Sequence, residues 1–252
     1  MSKPLILITN DDGIDANGIK VLTDLMLSVG EVVVVAPDGA RSGMSNAITS
    51  TLPLRYKLLE KRAGLQRFVC TGTPTDCVKI ASHAILDKKP DLLVSGINHG
   101  SNAAINLIYS GTMGAAFEGC ENHIPSIGFS LDDYDENADF EHFKPYILKI
   151  TKMVLEKGLP ERVCLNVNAP TGAIKGIKTA RQSRGYWTEE FENKTDPHGN
   201  KYFWMTGYFK NEEPQATDTD EFALKNGYVS IVPTSIDMTA YKMIDEIKMW
   251  NL

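Results

Sequence analysis

The chain has 252 residues, a length that predicts one large domain or one domain plus an elaboration. Of these residues 42% are hydrophobic and 23% charged, which is the composition of a globular rather than a disordered chain. Its 26 Lys and Arg residues against 32 Asp and Glu residues give a formal net charge of −6. This charge argues against a general nucleic-acid or anionic-membrane binder, because both need a basic face, but it leaves room for a small anionic ligand in a local site.

The cysteines and the apolar runs bear on the compartment in which the protein works. The spacings of Cys70, Cys77, Cys120 and Cys164 suit neither zinc nor haem, so we predict buried, reduced thiols. No run of about 18 apolar residues is present, and the first apolar run, Leu5 to Ile8, is too short for the core of a signal peptide. We therefore expect a cytoplasmic protein with no membrane partner.

The first two thirds of the chain alternate between apolar strands and amphipathic helices. In chain order the predicted elements are a strand over 4–9, a helix over 19–29, a strand over 31–36, a helix over 75–85, a strand over 91–95, a helix over 111–122, a strand over 126–130, a helix over 143–157 and a strand over 162–167. Apolar strands separated by helices predict an α/β fold with a Rossmann-like parallel sheet covered by helices on both faces.

The pattern changes after Pro170, where turns alternate with aromatic residues. We predict a β-hairpin-rich extension over about 180–225, a further strand over 228–232 and a terminal helix over about 240–251. The chain is thus predicted to be a single domain spanning 1–252, whose core comprises about 1–180 and 226–239.

Polar, sharply turned segments follow the first three predicted strands. They are Asn10 to Gly13, Pro37 to Gly43 and Gly96 to Gly100. Ligands of an open parallel sheet bind beyond the carboxyl ends of its strands, so neighbouring strands would bring these three segments together. The sequence therefore predicts a ligand site at this edge of the sheet.

Asp11 and Asp12 carry the chemistry of the first segment. Two carboxylates about 4 Å apart repel by about 4 kcal/mol at an effective dielectric constant near 20, so either one is protonated or a cation lies between them. Carboxylates, a Ser hydroxyl and an Asn carbonyl are hard oxygen ligands, which favour magnesium or manganese over zinc. From this motif alone, a simple turn with a helix cap is the alternative, and it stays open.

A small, Gly-rich run from Ile108 to Ala116 opens the predicted helix at Gly111. Free backbone N–H groups at a helix start, with the hydroxyls of Ser110 and Thr112, would bind phosphate. The run lacks the Lys of a nucleotide-binding P-loop and the glycine spacing of a dinucleotide fingerprint. Close packing of small residues is the alternative. For the similar turn from Thr71 to Asp76 we favour a structural role.

Nine short motifs follow one another along nearly the whole chain. They are T-N-D-D-G-I (9–14), V-V-A-P-D (34–38), R-S-G (41–43), A-I-T (47–49), G-T-P-T-D-C-V (72–78), V-S-G-I-N-H-G (94–100), Y-S-G-T-M-G-A-A (109–116), D-P-H-G (196–199) and G-Y-V-S-I-V-P (227–233). In this order they resemble the SurE family, the stationary-phase survival proteins that are metal-dependent nucleotidases. Nine motifs in the same order along the chain are far more specific than any one of them.

The resemblance implies an activity and a set of site residues. It implies hydrolysis of nucleoside 5′- and 3′-monophosphates, and it allows cleavage of short-chain polyphosphate. One divalent ion per subunit, Mg²⁺ or Mn²⁺, would be held by the residues at the family's metal positions, which are Asp11, Asp12, Ser42 and Asn98. Phosphate would lie against the residues that match the family's phosphate region, which are Asn46, Ser110, Gly111 and Thr112.

The resemblance also points to catalytic roles and to an assembly. Asp11, Asn98 and Ser110 are the candidate catalytic residues, with Asp11 as the general base or the group that orients water. Direct attack by water and a covalent aspartyl-phosphate both stay open. SurE-like proteins exchange segments between subunits, so we expect a homodimer or homotetramer with nucleoside monophosphates, and no nucleic-acid polymer, as partners.

Two other classes share an acidic residue after the first strand. A phosphatase of the haloacid-dehalogenase type needs a second Asp two residues after its nucleophile, but Gly13 and Ile14 stand at the two relevant positions. A receiver-like signalling module needs a phospho-accepting Asp after the third predicted strand, where this chain has Ser95 to Asn98. Both alternatives therefore fit the sequence less well.

Overall fold

The computed structural model describes residues 3–135 and 137–250 of the chain. In chain order its strands are β1 (Leu5–Thr9), β2 (Glu31–Pro37), β3 (Tyr56–Arg62), β4 (Leu65–Cys70), β5 (Leu92–His99), β6 (Ser126–Leu131), β7 (Val163–Ala169), β8 (Gly176–Thr179), β9 (Gly185–Thr188), β10 (Phe191–Thr195), β11 (Lys201–Met205), β12 (Tyr208–Asn211) and β13 (Tyr228–Ser235). The helices are α1 (Asn17–Leu27), α2 (Pro74–Ile80), α3 (Gly111–Glu121), α4 (Lys144–Lys157), α5 (Asp220–Lys225) and α6 (Tyr241–Lys248).

A nine-stranded sheet with the order β3-β4-β2-β1-β5-β6-β7-β13-β8 forms the centre of the molecule. The strands from β4 to β7 in that order all run parallel to their neighbours. At the two sides, β3 is antiparallel to β4 and β13 is antiparallel to β7. The predicted α/β fold is therefore confirmed, and its sheet is parallel except at β3 and β13.

Both faces of the sheet are covered by helices. Ile6 and Ile8 of β1 face one layer, which holds α1 and α4, and Leu5 and Leu7 face the other, which holds α2 and α3. Successive strand residues point to opposite faces, so a strand buried on both sides consists of apolar residues throughout. This is why β1 is visible in the sequence as an uninterrupted apolar run.

The sheet differs from the sequence-based expectation at β3, β4, β5 and the short edge strand β8, which was not predicted. The hairpin of β3 and β4 was not predicted, because the exposed edge strand β3 is rich in charged residues and has no apolar run. The strand predicted to end at Ser95 continues as β5 to His99, so its end at Gly96 was wrong. Against β6, the register of β5 shifts between Ser95 and Asn98. Such a bulge bends the strand and changes the direction in which the following side chain, that of Asn98, points.

The predicted hairpins of the extension are present. β9 pairs with β12 and β10 pairs with β11, both antiparallel and separate from the central sheet. The same region also contains α5, which the strand-like pattern did not predict. The predicted terminal helix corresponds to α6, in which no residue is buried, and the end of that prediction at residue 251 lies outside the described residues.

The four cysteines agree with a further expectation. Cys70, Cys77, Cys120 and Cys164 are all buried and free, as predicted. No helix within residues 3–135 and 137–250 combines the length and the apolar character needed to cross a membrane.

Candidate active site

Three loops meet at the carboxyl edge of the parallel strands because β1 lies between β2 and β5. The last residue of β1, Thr9, pairs with Ser95 of β5, so the segment that follows β1 begins beside the last residues of β5. On the other side, the Arg41 N–H donates a hydrogen bond of 2.6 Å to the Asp11 carbonyl. The structure thus places three segments next to one another: the loop with Asp11, the loop with Ser42 and the end of β5 that bears Asn98.

Asn98 lies at the end of the irregular stretch of β5. It is 8% exposed, and its Nδ2 donates a hydrogen bond of 2.8 Å to the Gly100 carbonyl. This bond uses the amide nitrogen, so the amide oxygen is the group that would serve a cation.

Asp11 lies against the start of α3. The Thr112 hydroxyl donates a hydrogen bond of 2.5 Å to Asp11 Oδ1. A Cβ atom at position 111 would lie 2.8 Å from Asp11 Cβ, so only glycine allows the helix to approach this closely. The acidic residue of the first loop and the helix start of the predicted phosphate site therefore form one unit.

The two neighbouring aspartates are both shifted towards their protonated forms. Burial raises the pKa of Asp11 to about 6; the hydrogen bond from Thr112 opposes this rise, and the charge of Asp12 adds to it. Burial also raises the pKa of Asp12, against the opposing effect of the His99 charge and backbone N–H. Buried carboxylates with raised pKa values in a loop cluster are typical of functional sites.

One oxygen of this pair has no protein partner. Asp12 Oδ2 is buried and accepts no hydrogen bond from any residue that the structure describes. A buried charged oxygen without a partner is costly, and a divalent cation between the carboxylates would both coordinate it and compensate their charge. The donor set thus fits a hard metal ion, which accepts carboxylate, hydroxyl and amide oxygens together.

Other metal chemistries find less support. Among residues 3–135 and 137–250 no three His, Cys, Asp or Glu side chains gather into a metal-binding group. A metal at the Asp11–Asp12 pair would therefore complete its shell with neutral oxygens, of which Ser42, on an exposed loop, and Asn98 are the candidates.

The predicted phosphate residues have different local roles. Ser110 is the N-cap of α3, where its Oγ accepts a hydrogen bond of 3.1 Å from the Met113 N–H. A hydroxyl that accepts in this way still has its own proton to donate. Asn46 is an exposed residue whose Oδ1 would lie 2.9 Å from a Cβ at position 114. Both residues thus border the first turn of α3.

A buried network fixes the loop that leads from Asn98 to Ser110. The Asn102 N–H donates to Asn168 Oδ1 and Asn166 Nδ2 donates to the Asn102 carbonyl, each over 2.8 Å. The Ala104 N–H donates to Asp220 Oδ2, also over 2.8 Å. β7 and α5 therefore hold this loop, and through it the start of α3, in one position.

Comparisons with known proteins decide between the classes that the sequence left open. The family model for "Survival protein SurE" matches residues 6–189. The chain belongs to the SurE family. A relative from Flavobacterium psychrophilum named "5′-nucleotidase SurE" is 55% identical, over 100% of this chain and 99% of its own length. A relative of the same name from Bacteroides fragilis is 52% identical, over 99% and 98%.

A solved structure extends this similarity to the whole fold. The SurE protein from Aquifex aeolicus aligns with a TM-score of 0.85 and 39% identity, covering 99% of this chain and 100% of its own. The family resemblance predicted from the nine motifs is confirmed. The chain is therefore assigned to the SurE family and not to the haloacid-dehalogenase type or to the receiver-like modules.

The sequence did not show how the SurE-type loops hold one another. The hydrogen bond from Thr112 to Asp11 joins residues about a hundred positions apart in the chain, and no local sequence pattern predicts such a contact. The bond from Arg41 to the Asp11 carbonyl is likewise made by a backbone group, which has no residue signature. Only the strand order suggested that these segments would meet.

Proposed function

We propose that this SurE-family chain is a metal-dependent phosphatase that hydrolyses nucleoside monophosphates to nucleoside and phosphate. One observation carries the proposal: the buried carboxylate of Asp11 lies at the start of α3, next to the half-buried Asp12, one of whose oxygens has no partner among the described residues. A site for a cation thus borders a helix N-terminus, where anions bind. The name "5′-nucleotidase SurE" on relatives that span nearly the whole chain supports the same substrate class.

Four oxygen donors would hold the metal, namely Asp11, Asp12, Ser42 and Asn98, with one Mg²⁺ or Mn²⁺ per subunit. When bound, the ion would polarise a phosphoryl oxygen and make a coordinated water more acidic. The protein contributes two negative charges and two neutral oxygens, and the hydrogen bonds from Thr112 and to Gly100 orient Asp11 and Asn98. Asn98 would therefore act on the reaction by keeping its amide oxygen in place.

Phosphate would be held at the first turn of α3. The Gly111 N–H, the Ser110 hydroxyl and the Asn46 amide are the donors we assign to it, and they would stabilise charge on the equatorial oxygens during transfer. Thr112 contributes differently from our sequence-based expectation. Its hydroxyl proton is donated to Asp11, so its part in phosphate binding would be through the backbone.

Asp11 is the residue we propose as general base or water-orienting group. One of its oxygens accepts from Thr112, which leaves the other to the reacting centre. A carboxylate in this position can accept a proton from the attacking water or orient that water for attack. Attack would follow in line with the leaving nucleoside oxygen.

Phosphate release from a panel of nucleoside 5′- and 3′-monophosphates tests this function. We expect turnover with Mn²⁺ or Mg²⁺, none in excess EDTA, and recovery when the metal is restored. Short-chain polyphosphate in the same panel tests the wider specificity. The control is Asp24→Asn, which changes an exposed carboxylate on α1 and should leave the rates unchanged. Full activity in excess EDTA would disprove the metal requirement, and no release from any nucleotide would disprove the substrate class.

A further inference from the structure

The stretch from Arg41 to Ala47, within the loop between β2 and β3, bears both Ser42 and Asn46 and is attached to the rest of the molecule at three residues. Near its start, the Arg41 N–H donates to the Asp11 carbonyl over 2.6 Å. Near its end, the Thr73 hydroxyl donates to the Ala47 carbonyl over 2.7 Å. Ser45 makes the middle attachment, which is the one that reaches the segment leading into α3.

Ser45 makes two hydrogen bonds to that segment. Its N–H donates to the Tyr109 carbonyl over 3.1 Å, and its hydroxyl donates to the Ile108 carbonyl over 2.7 Å. Ser45 also has a left-handed backbone with φ of 51°, a conformation that residues with a side chain rarely adopt. The two bonds therefore hold the loop in a shape that it would not keep by itself.

Gly114 of α3 completes this contact from the helix side. A Cβ at position 114 would lie 2.2 Å from the Ser45 carbonyl oxygen and 2.9 Å from Asn46 Oδ1. Any side chain there would force the loop and the helix apart. The loop backbone thus rests directly on the first turn of α3, and its separation from the helix is set by the absence of a side chain.

We propose that Ser45, seated on Gly114, is a positioning residue that sets the distance between the metal-binding loop and the phosphate-binding turn. Ser42 lies three residues before Ser45 and Asn46 lies immediately after it, while Tyr109 immediately precedes Ser110. One contact therefore connects a metal ligand and a phosphate contact to the helix start that faces Asp11. The inference rests on the proposed function, because it assigns a purpose to this contact only if those residues bind metal and phosphate.

Two variants of Ser45 test the role of its hydroxyl. Ser45→Ala removes the hydroxyl and keeps the Cβ, whereas Ser45→Gly removes the hydroxyl and also the penalty of the left-handed backbone. We expect both to lower kcat at saturating metal by about tenfold or more, as displacements of about 1 Å at a reacting centre do. Both should also weaken Mn²⁺ binding in the absence of substrate, measured by titration calorimetry.

Ser28→Ala is the matched control for these variants. Ser28 is exposed, and its hydroxyl also donates to a backbone carbonyl, that of Leu25 over 2.6 Å. It caps the C-terminus of α1 just before β2 begins, whereas the site lies beyond the other end of β2. It should leave kcat and Mn²⁺ affinity unchanged. Unchanged kcat and Mn²⁺ affinity in Ser45→Ala or in Ser45→Gly would overturn the positioning role. If the unsubstituted protein itself has no nucleotidase activity, the proposed function would be overturned instead.

A second pair of variants separates positioning from general destabilisation. Gly114→Ala should push the loop off α3 and lower both kcat and Mn²⁺ affinity. Gly119→Ala introduces an equally tight Cβ in the same helix, 2.4 Å from Ser126 Oγ, but on the side of the sheet core. It should lower the melting temperature without changing Mn²⁺ affinity. Equal losses of kcat and Mn²⁺ affinity in the two variants would mean that the loop contact has no special role.

Discussion

At the scale of single residues, two hydroxyls at the start of α3 have different partners. Thr112 donates to the Asp11 carboxylate, whereas Ser110 accepts from the helix backbone. The bond from Thr112 lowers the pKa of Asp11, against the larger rise caused by burial. Thr112 thus tunes the carboxyl group, and Ser110 both caps the helix and has a proton left for phosphate.

This difference gives Thr112→Val a specific effect on pH dependence. The carboxyl of Asp11 must lose its proton to bind metal, so Mn²⁺ affinity should rise as the pH passes a value of about 6 and then level off. Without the Thr112 hydrogen bond the pKa of Asp11 rises further, so this transition should move to higher pH. Titration calorimetry at a series of pH values measures it. Thr151→Val, which removes a buried hydroxyl with no partner among the described residues of the chain, should not move it.

Ser110→Ala should have two consequences. Losing a hydrogen bond to charged phosphate should raise the activation barrier by about 1–3 kcal/mol. Losing the N-cap should lower the free energy of unfolding by about 1 kcal/mol. Steady-state kinetics and urea denaturation measure the two effects separately. A normal rate in a variant that has lost the expected stability would leave Ser110 with the capping role only.

Substitutions of the two aspartates should differ in kind. Asp12→Asn keeps the shape but removes a negative charge next to the bound ion, so Mn²⁺ affinity should fall strongly. Asp11→Asn should in addition lower kcat at saturating metal, because an amide cannot take a proton from water. Rates measured over a wide range of Mn²⁺ concentrations separate these effects. Small and equal effects of both substitutions would show that the pair is only a turn.

At the scale of elements, the turn before α2 has the structural role that the sequence favoured. Thr73 and Asp76 form a capping box, and the Asp76 carboxylate also accepts from the Thr49 N–H and hydroxyl. Burial opposes ionisation of Asp76, but the hydrogen bonds from Thr49 and Thr73 outweigh it and hold the pKa of this carboxyl below its usual value. α2 and the end of the Ser42 loop are thereby joined by one side chain.

Asp76→Ala should therefore lower the free energy of unfolding by about 1–3 kcal/mol, since several buried donors lose their acceptor. Because the folded-state pKa of Asp76 is depressed, its contribution is present above the pKa of the unfolded chain and is lost as the pH falls through the folded value. The difference in stability between the two proteins should hence shrink in acid. Thermal melts from neutral to acidic pH test this, and a constant difference would contradict it.

How much of the structure the sequence predicted depends on how local each signal is. The buried strands β1 and β2 were predicted because their residues are apolar on both faces, whereas β3 and α5 were not, since an exposed strand and a short helix lack that signal. The site residues were proposed from strand order and family motifs. The contact between Ser45 and Gly114 was not predicted, because it depends on backbone atoms that lie close only in the folded chain.

At the scale of the whole molecule, the β10–β11 hairpin and α6 each expose several apolar residues. Phe191, Phe203 and Trp204 of the β10–β11 hairpin are each about 60% exposed, and no residue of α6 is buried. The side chains of Met243, Ile244 and Ile247 are spaced for one face of that helix, and the exposed Trp250 follows just after its end. Exposed apolar surface of this extent is typical of an interaction surface.

The prediction at this scale is that the protein forms a homodimer or homotetramer through these elements. Burying the apolar face of α6 and the aromatic hairpin on a neighbouring subunit removes their side chains from water, which is the main driving force for association. Light scattering at micromolar concentration should show a particle at least twice the 27.8 kDa of one chain.

Deleting Ala240 to Leu252 should shift the population towards smaller particles. The control Tyr56→Ala, which changes an exposed aromatic residue on the edge strand β3, should not do so. A single species of one chain in the full-length protein would rule out a stable assembly, and a truncated protein of unchanged size would place the contact elsewhere than α6.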